Sequence, residues 1–496
     1  MQGCKQFEPR LFYQISLEQY VPADHLVRRL AAVLDFSWVR PATAAYYSHT
    51  GKPSIDPVVT AKLLLLGYFY NIGSERQLMR DVQVNLAYRW YLGYDLDEAI
   101  PNHSVLSKAR RRLGEEFFGK LFAYVLQCCR DAGLVKGDNL FLDSTLVEAN
   151  ASLDSITSLR YRPAEYWRQL EQAEAMPAEE LNDGDAGDPA DGMGQKRPRQ
   201  NRTCDRKYSS TDPEASLTRR PGQKAKPAYK THFAADEANG VVTAVATTSA
   251  AVDDTAVVPQ LLEQHEQQCR RPDRAVGDHL YGSQDCLGYL QEQGVETVMP
   301  PRQGGNKHGG FEKRQFVYNP SQDVYRCPAG QILRRRRTWK KAGKASYAGD
   351  PVVCGTCSLK KQCFSAQSVS GVRQITRFDT PYVDRAQAAC ASRQGRFLLR
   401  KRQTCIEGLF GQAKNFHGLR RARWRGLTKM HIQSLLTAVV LNVKKLLKSM
   451  GRKSAVYQRV RVPSDVLIYK KLYSLLFLIF VFFCNKNRNV FEIQIP

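Results

Sequence analysis

Three carboxylates stand where a fold can gather them: Asp143, Asp278 and Glu407. Asp143 closes the apolar run Leu140-Phe141-Leu142, and Asp278 closes Arg274-Ala275-Val276-Gly277, so each is expected at the end of a short strand. Glu407 is the single acidic residue between Arg385 and Ser464, a span that holds 19 Lys or Arg. A surface that is basic for its own sake needs no carboxylate. One kept amid so much positive charge suits holding a cation beside a polyanion. Hard divalent cations take oxygen ligands and keep positions open for phosphate oxygens. Two of them about 3.5–4 Å apart activate a nucleophile and stabilise the leaving oxygen of an in-line phosphoryl transfer. Neighbouring strands lie about 4.8 Å apart, so two strand-end aspartates can share such ions, with Glu407 closing the site from a facing helix. The blander readings are an i,i+4 or i,i+3 ion pair at Glu407, a turn residue at Asp143 and a helix cap at Asp278. Asp138, Glu148, Asp273 and Asp285 are the competing carboxylates.

The residues around Glu407 suit the same chemistry. A helix is expected over Arg393 to Phe416, with Leu399, Ile406, Leu409, Phe410 and Ala413 as its apolar positions. Lys414 follows Glu407 by seven residues, nearly two turns, and shares its face, as Gln403 shares one with Arg400. Lys414, Arg400, Arg402, Arg420, Arg421, Arg423 and Arg425 are therefore candidates for contact with phosphate. A second cluster differs in kind. Cys354-Gly355-Thr356-Cys357 is a C-x2-C knuckle, with Cys363 close behind and Cys327 before it. Four thiolates suit a structural Zn2+, leaving no open position for catalysis. The alternative is scattered free thiols. The basic run Arg334 to Lys341 lies between the arms with Trp339 inside it, a further candidate DNA contact.

Positioning these residues requires several elements. Residues 1–135 read as a helical DNA-binding domain. Asp56-Pro57 makes a helix start, Ser74 caps the next helix, and Asn102-His103-Ser104 opens a basic helix carrying Arg110, Arg111 and Arg112. Short helices ending on a basic one fit a helix-turn-helix-like unit. Residues 136–157 hold the first catalytic strand. Residues 158–227 lose periodicity, first acidic and glycine-rich and then basic, and read as a flexible linker insertion. In residues 228–300 a hairpin turns at Asn239-Gly240, followed by helix, strand, helix and strand. This order is that of a ribonuclease-H-like α/β layer. Residues 301–380 form a basic, cysteine-rich, zinc-ribbon-like insertion, 381–450 the third motif and C-terminal helices, and 451–496 a basic and then apolar tail.

The 496 residues carry a formal charge of +25, spread over several segments. That footprint fits a polyanion, most often nucleic acid. Thirteen cysteines, and no apolar secretory core after Met1, point to a reducing cytosol rather than to disulfides. Leu472 to Cys484 is apolar but shorter than the roughly 20 residues a spanning helix needs, so a buried terminal element, or an extension not central to function, is expected there over a tail anchor.

Four ordered stretches carry a resemblance: LFLDSTLVEANAS around Asp143, AYKTHFAAD in the hairpin, AVGDHLYGSQ around Asp278, and IEGLFGQAKNFHGLRRARWRGL around Glu407. Together, spread over about Ser54 to Lys448, they resemble a DDE transposase of bacterial insertion sequences. The resemblance implies a ribonuclease-H-like mixed sheet with flanking helices, with Asp143, Asp278 and Glu407 binding two Mg2+ or Mn2+ ions. It also implies cleavage of double-stranded DNA at terminal inverted repeats, strand transfer into target DNA, and a homodimer on paired ends. No small-molecule substrate is implied, and the expected location is the nucleoid of a bacterial cytoplasm. One departure stands out. Related transposases place tyrosine and arginine where this chain has Arg400 and Gln403, so that Arg400 or Arg402 is left to supply the arginine's role. The competing functions are a metal-dependent nuclease of the same fold and a non-catalytic DNA-binding remnant.

Overall fold

The computed structural model describes residue 12 and residues 14–48, 50, 54–158, 207–219, 222, 224–302, 310–339, 343–364, 371–378 and 380–457. The 159–206 part of the linker insertion, Lys340, Lys341 and the apolar tail lie outside the described residues. The chain divides into a unit from Met1 to Lys445 and a second from Leu446 to Pro496.

The first unit begins with helices α1 (Leu17–Tyr20), α2 (Leu26–Val33), α3 (Val39–Thr43), α4 (Pro57–Phe69), α5 (Glu75–Val84), α6 (Leu86–Leu92) and α7 (Ser104–Asp131). Local chemistry sets several of their starts. The Asp56 carboxylate accepts the Val58 N–H ahead of Pro57, and Ser74 Oγ accepts the Gln77 N–H. α7 is kinked just past the basic stretch at Gly114, whose φ of 64° is outside the helical range and suits glycine. Leu30, Leu65, Val82, Leu106, Phe117 and Leu121 are buried among these helices.

The central sheet is mixed. β1 (Asn139–Glu148) pairs antiparallel with β5 (Lys226–Asp236) along its length and parallel with β7 (Arg274–Val276) only over Asn139 to Phe141. β6 (Val242–Ser249) pairs with β5, and β8 (Glu296–Val298) lies parallel to β7. The short strands β2 (Ile156–Ser158), β3 (Lys207–Ser209) and β4 (Ser216–Thr218) extend the sheet beside β5. Asp143 is thus not at a strand end. β5 holds β1 extended to Glu148, and Asp143 sits just beyond the point where pairing with β7 stops.

One sheet face buries Leu140, Leu142, Ala234, Ala244, Tyr281 and Met299 together with residues of α8 (Val258–Gln268), α9 (Gln284–Glu292) and α12 (Pro381–Ala391). α13 (Arg393–Phe416) lies against β1, β7 and β8, and its Phe410 stacks on Phe233 with centroids 5.0 Å apart. α14 (Leu427–Tyr457) reaches the sheet through Ser434, bonded to Thr231 at 2.8 Å, and Asn442, whose amide pairs with both the N–H and the C=O of Val242 at 2.8 Å.

Residues 317–378 build a separate antiparallel sheet from β9 (Val317–Asn319), β10 (Val324–Arg326), β11 (Ile332–Trp339), β12 (Lys344–Ala348) and β13 (Gln374–Phe378). Its small core is Phe316, Tyr325, Leu333, Ala345, Tyr347 and Ile375. Between β12 and β13 come the short helices α10 (Pro351–Gly355) and α11 (Lys360–Cys363). Among the described residues no helix is long and apolar enough to cross a membrane.

Candidate active site

Successive residues of a strand face opposite sides of the sheet. Asp143 faces α13, like its register partner Phe233. Its Oδ1 accepts the Ser144 N–H at 2.8 Å, and its Oδ2 is 3.1 Å from Arg402 Nη1. The Asp143 side chain retains 21% exposure and that of Arg402 11%. Burial pushes the Asp143 carboxyl up to about 6. Arg402 and the Ser144 N–H oppose that rise, and the negative charge of Asp278 adds to it.

Asp278 lies two residues past β7, half-buried, and its Oδ1 accepts the Leu280 N–H at 2.8 Å. It does not cap the helix that follows. Ser283 does so, accepting the Cys286 N–H at 3.3 Å. Three residues beyond Asp278 the ring of Tyr281 is fully buried. Burial and the surrounding carboxylates of Asp254, Asp143 and Asp278 push its phenol well above the ordinary range, so it stays protonated. The two aspartates proposed from sequence thus stand close enough to feel one another.

Glu407 is exposed on α13, next to buried Ile406 and one turn and a half beyond Arg402. Among the described residues no three His, Cys, Asp or Glu side chains are grouped closely enough to hold a metal ion. Asp278 is near enough for its charge to raise the Asp143 carboxyl, and Glu407 is exposed on the helix that faces Asp143. What meets Asp143 from α13 is a cation. Of the two arginines left open by the sequence, Arg402 reaches the site, its Nη1 also donating to Leu142 O at 3.3 Å. Arg400 points to solvent and bonds back to Arg396 O.

The remaining cations divide by burial. Arg111, Arg112, Arg400, Arg420, Arg421 and Arg425 are exposed. Lys414, Arg420, Arg421 and Arg423 line a basic cavity of about 490 Å³ with Asn71, Gly73 and Asn415. Two of the expected DNA contacts are instead structural. Arg110 is 7% exposed, ion-paired with Glu75 and set 4.0 Å over the Trp424 ring. Arg423 lies 4.1 Å over Tyr68 and donates to Ile72 O at 3.2 Å. His417 adds a bond from its Nδ1 to Tyr68 O at 2.8 Å. The loop from His417 to Gly426 thus clips the N-terminal helices to the end of α13. It also bridges the end of β1, with Glu148 N–H donating to Arg420 O at 3.2 Å and Ala422 N–H to Glu148 O at 2.7 Å. Arg402, a third expected phosphate contact, is taken by Asp143.

The four cysteines line one cavity of about 450 Å³ beside β10 and β11. Burial raises the Cys363 thiol, Arg373 opposes that, and the neighbouring Cys354, Cys327 and Cys357 add to it. Cys327 Sγ accepts the Gln331 N–H at 3.3 Å. On β11, Arg335 is tied to Asp323 at 2.6 Å, while Arg334, Arg336 and Arg337 face solvent.

Sequence reasoning passed over a polar group behind β1: Asp254 and His232, both buried, and Lys230, half-buried. The one local signal was a doubled aspartate, Asp253-Asp254, opening a helix.

Comparison with known proteins gives two family matches: the Transposase domain (DUF772) at residues 15–112 and the Transposase DDE domain at residues 326–447. No curated protein matches. Among solved structures, the synaptic complex of piggyBac transposase with hairpin DNA aligns at 9% identity and a TM-score of 0.32, over 92% of this chain and 82% of that one. One transposase match thus covers the N-terminal helices, and another the segment that carries Glu407.

Proposed function

We propose that the chain cleaves DNA at the ends of a mobile element and joins the freed 3′ ends to target DNA, with Asp143, Asp278 and Glu407 holding two Mg2+ or Mn2+ ions. The observation that carries the reading is that Asp143, on β1 just beyond its pairing with β7, feels the charge of Asp278, two residues past β7, with Arg402 set against the first. The family is generally dependent on divalent metal ions. The donor set fits: carboxylate oxygens are what hard divalent ions take, and the Asp143 carboxylate already draws the Arg402 guanidinium to 3.1 Å. Bound ions would supply charge neutralisation and a more acidic water. We further read the strand order β6-β5-β1-β7-β8, antiparallel then parallel, as a ribonuclease-H-like core.

In this reading water attacks an end phosphate, forming one P–O bond as the bond to the 3′ oxygen breaks. The 3′ hydroxyl then attacks a target phosphate in the same way. The protein orients the attacking and leaving oxygens and needs no covalent bond to DNA. Arg111, Arg112, Arg400, Lys414, Arg420, Arg421 and Arg425 are assigned to phosphates of the terminal repeats and target, bound by a homodimer in the bacterial nucleoid. The four cysteines are assigned a structural Zn2+. The all-thiol donor set suits it, although the side chains are not placed as ligands.

A strand-transfer assay with Mg2+ and duplexes bearing the element's terminal repeats tests the reading. Joined products are expected from the native chain and none from Asp143→Ala, Asp278→Ala or Glu407→Ala. Cleavage without joining would instead mark a nuclease. Full activity in all three variants would sink the assignment of the triad.

A further inference from the structure

The sheet face opposite Asp143 holds a buried polar group that the proposed chemistry does not use. Ser144 points to that face, across from His232 in register. Its Oγ donates to Asp254 Oδ1 at 2.6 Å. Asp254, 6% exposed, opens the turn of residues 254–257 and is also met by Lys230 Nζ at 3.3 Å. Lys230 is itself fixed by the Val252 carbonyl at 2.6 Å. His232 is fully buried, with Nε2 on Thr248 Oγ1 at 3.0 Å and Nδ1 3.7 Å from Asp254 Oδ1. A carboxylate is costly to bury, and this one is held by a lysine and a hydroxyl from two different strands. Apolar residues of the same volume would fill the space without that cost, so the group imposes a geometry.

The geometry it imposes is that of Ser144, whose two polar groups act on opposite faces. The side chain is anchored by Asp254 behind the sheet. The backbone N–H donates to Asp143 Oδ1 in front of it at 2.8 Å. At this point β1 has lost its β7 partner, because parallel pairing ends at Phe141 and Val276. On that side no ladder bonds hold the backbone. We propose that Asp254, acting through Ser144, is a positioning residue that fixes the Asp143 carboxylate for metal binding. Lys230 pairs with Asp254 in the interior at 3.3 Å. Anchoring the partner of a ligand in this way pre-organises it, and removing such outer-shell partners typically lowers metal affinity about 10–100-fold.

The inference rests on Asp143 being a metal ligand, and the experiment separates the two ideas. Mn2+ is titrated calorimetrically into the full-length chain without DNA, for the native protein, Asp143→Ala, Ser144→Ala, Asp254→Ala and Asp254→Asn. Ser144→Ala and Asp254→Ala are expected to weaken Mn2+ binding about 10–100-fold. Duplex DNA binding in metal-free buffer is expected to stay unchanged. Asp254→Asn, which keeps an acceptor for Ser144, is expected to restore most of the affinity, an outcome that a merely structural role for the carboxylate would not give. Should Asp254→Ala fail to fold, Ser144→Ala decides alone, since it removes a single hydroxyl. If Asp143→Ala loses Mn2+ binding while Ser144→Ala binds like the native chain, the positioning role is overturned and the metal site stands. If Asp143→Ala binds Mn2+ as the native chain does, the metal site itself is overturned, and the inference with it.

Discussion

Replacing Arg110 separates two readings of a basic helix. In a duplex-facing arginine the charge would contact phosphate, and its loss would weaken DNA binding while leaving the fold intact. Here the Arg110 side chain is 8% exposed and paired with Glu75, itself 24% exposed, with the guanidinium 4.0 Å over Trp424. Breaking a buried ion pair by removing one partner costs about 3–5 kcal/mol, since the other charge stays behind. A desolvated cation–π contact is worth about 2 kcal/mol, and part of that is already counted in the first figure. Arg110→Met keeps most of the packing of the stem, so a loss of about 3–4 kcal/mol is expected. Adding Glu75→Gln removes the stranded carboxylate and should return about 2 kcal/mol of it. Urea unfolding followed by tryptophan fluorescence measures both, with Trp424 as a local reporter. Arg111→Ala is the surface control, expected to cost under about 0.5 kcal/mol. It should lower the slope of log K against log salt for DNA binding by about one contact. The reasoning is refuted if Arg110→Met unfolds like the native chain but loses DNA affinity and salt slope as Arg111→Ala does.

Three further outcomes follow from the same structure. Burial holds the His265 imidazole, on α8 with Nδ1 2.8 Å from Thr243 Oγ1, down to about 4. The unfolded chain therefore binds this proton first as pH falls. The stability it lends is full above about pH 6.5 and is lost between there and pH 4, by up to about 3 kcal/mol, so His265→Gln should flatten the unfolding free energy over that window. If the cysteine cavity holds zinc, purified protein should contain about one Zn2+ per chain by elemental analysis, and Cys354→Ser or Cys357→Ser should release it and lower the melting temperature. A metal-free preparation that melts like the native one would reject the site. Lys414→Ala and Arg420→Ala, both lining the basic cavity, should each weaken duplex binding at low salt and converge with the native chain at high salt, whereas a loss of affinity independent of salt would speak against phosphate contact.

Features governed by neighbours in the chain were legible. The starts at Asp56-Pro57 and Ser74 were, because a cap is a bond between a side chain and an N–H two or three residues on. The turn at Asn239-Gly240 was too, with Gly240 at φ 65°. The helix from Arg393 to Phe416 has the bounds its periodicity gives, and Ile406, Leu409, Phe410 and Ala413 are buried as expected, but Leu398 is buried where Leu399 was expected. The strands that carry Asp143 and precede Asp278 were legible as short apolar runs, although Asp143 lies within β1 and not at its end. The extent of β1 was not legible. Its continuation to Glu148 depends on pairing with β5, some ninety residues later.

What the sequence determined by itself was the inventory: basic helices, strand-borne aspartates, one glutamate in a basic span and four spaced cysteines. Which cation serves which purpose was decided only by tertiary structure. Arg110 and Arg111 are adjacent on one helix, yet the first is buried because Glu75 and Trp424 meet it, and the second faces solvent. Arg400 and Arg402 differ in the same way, and only the second meets Asp143, 259 positions earlier in the chain. Helical spacing fixes the angle between two side chains. The direction in which that angle is turned is set by what packs against the helix, and in both cases the packing partners come from distant parts of the chain.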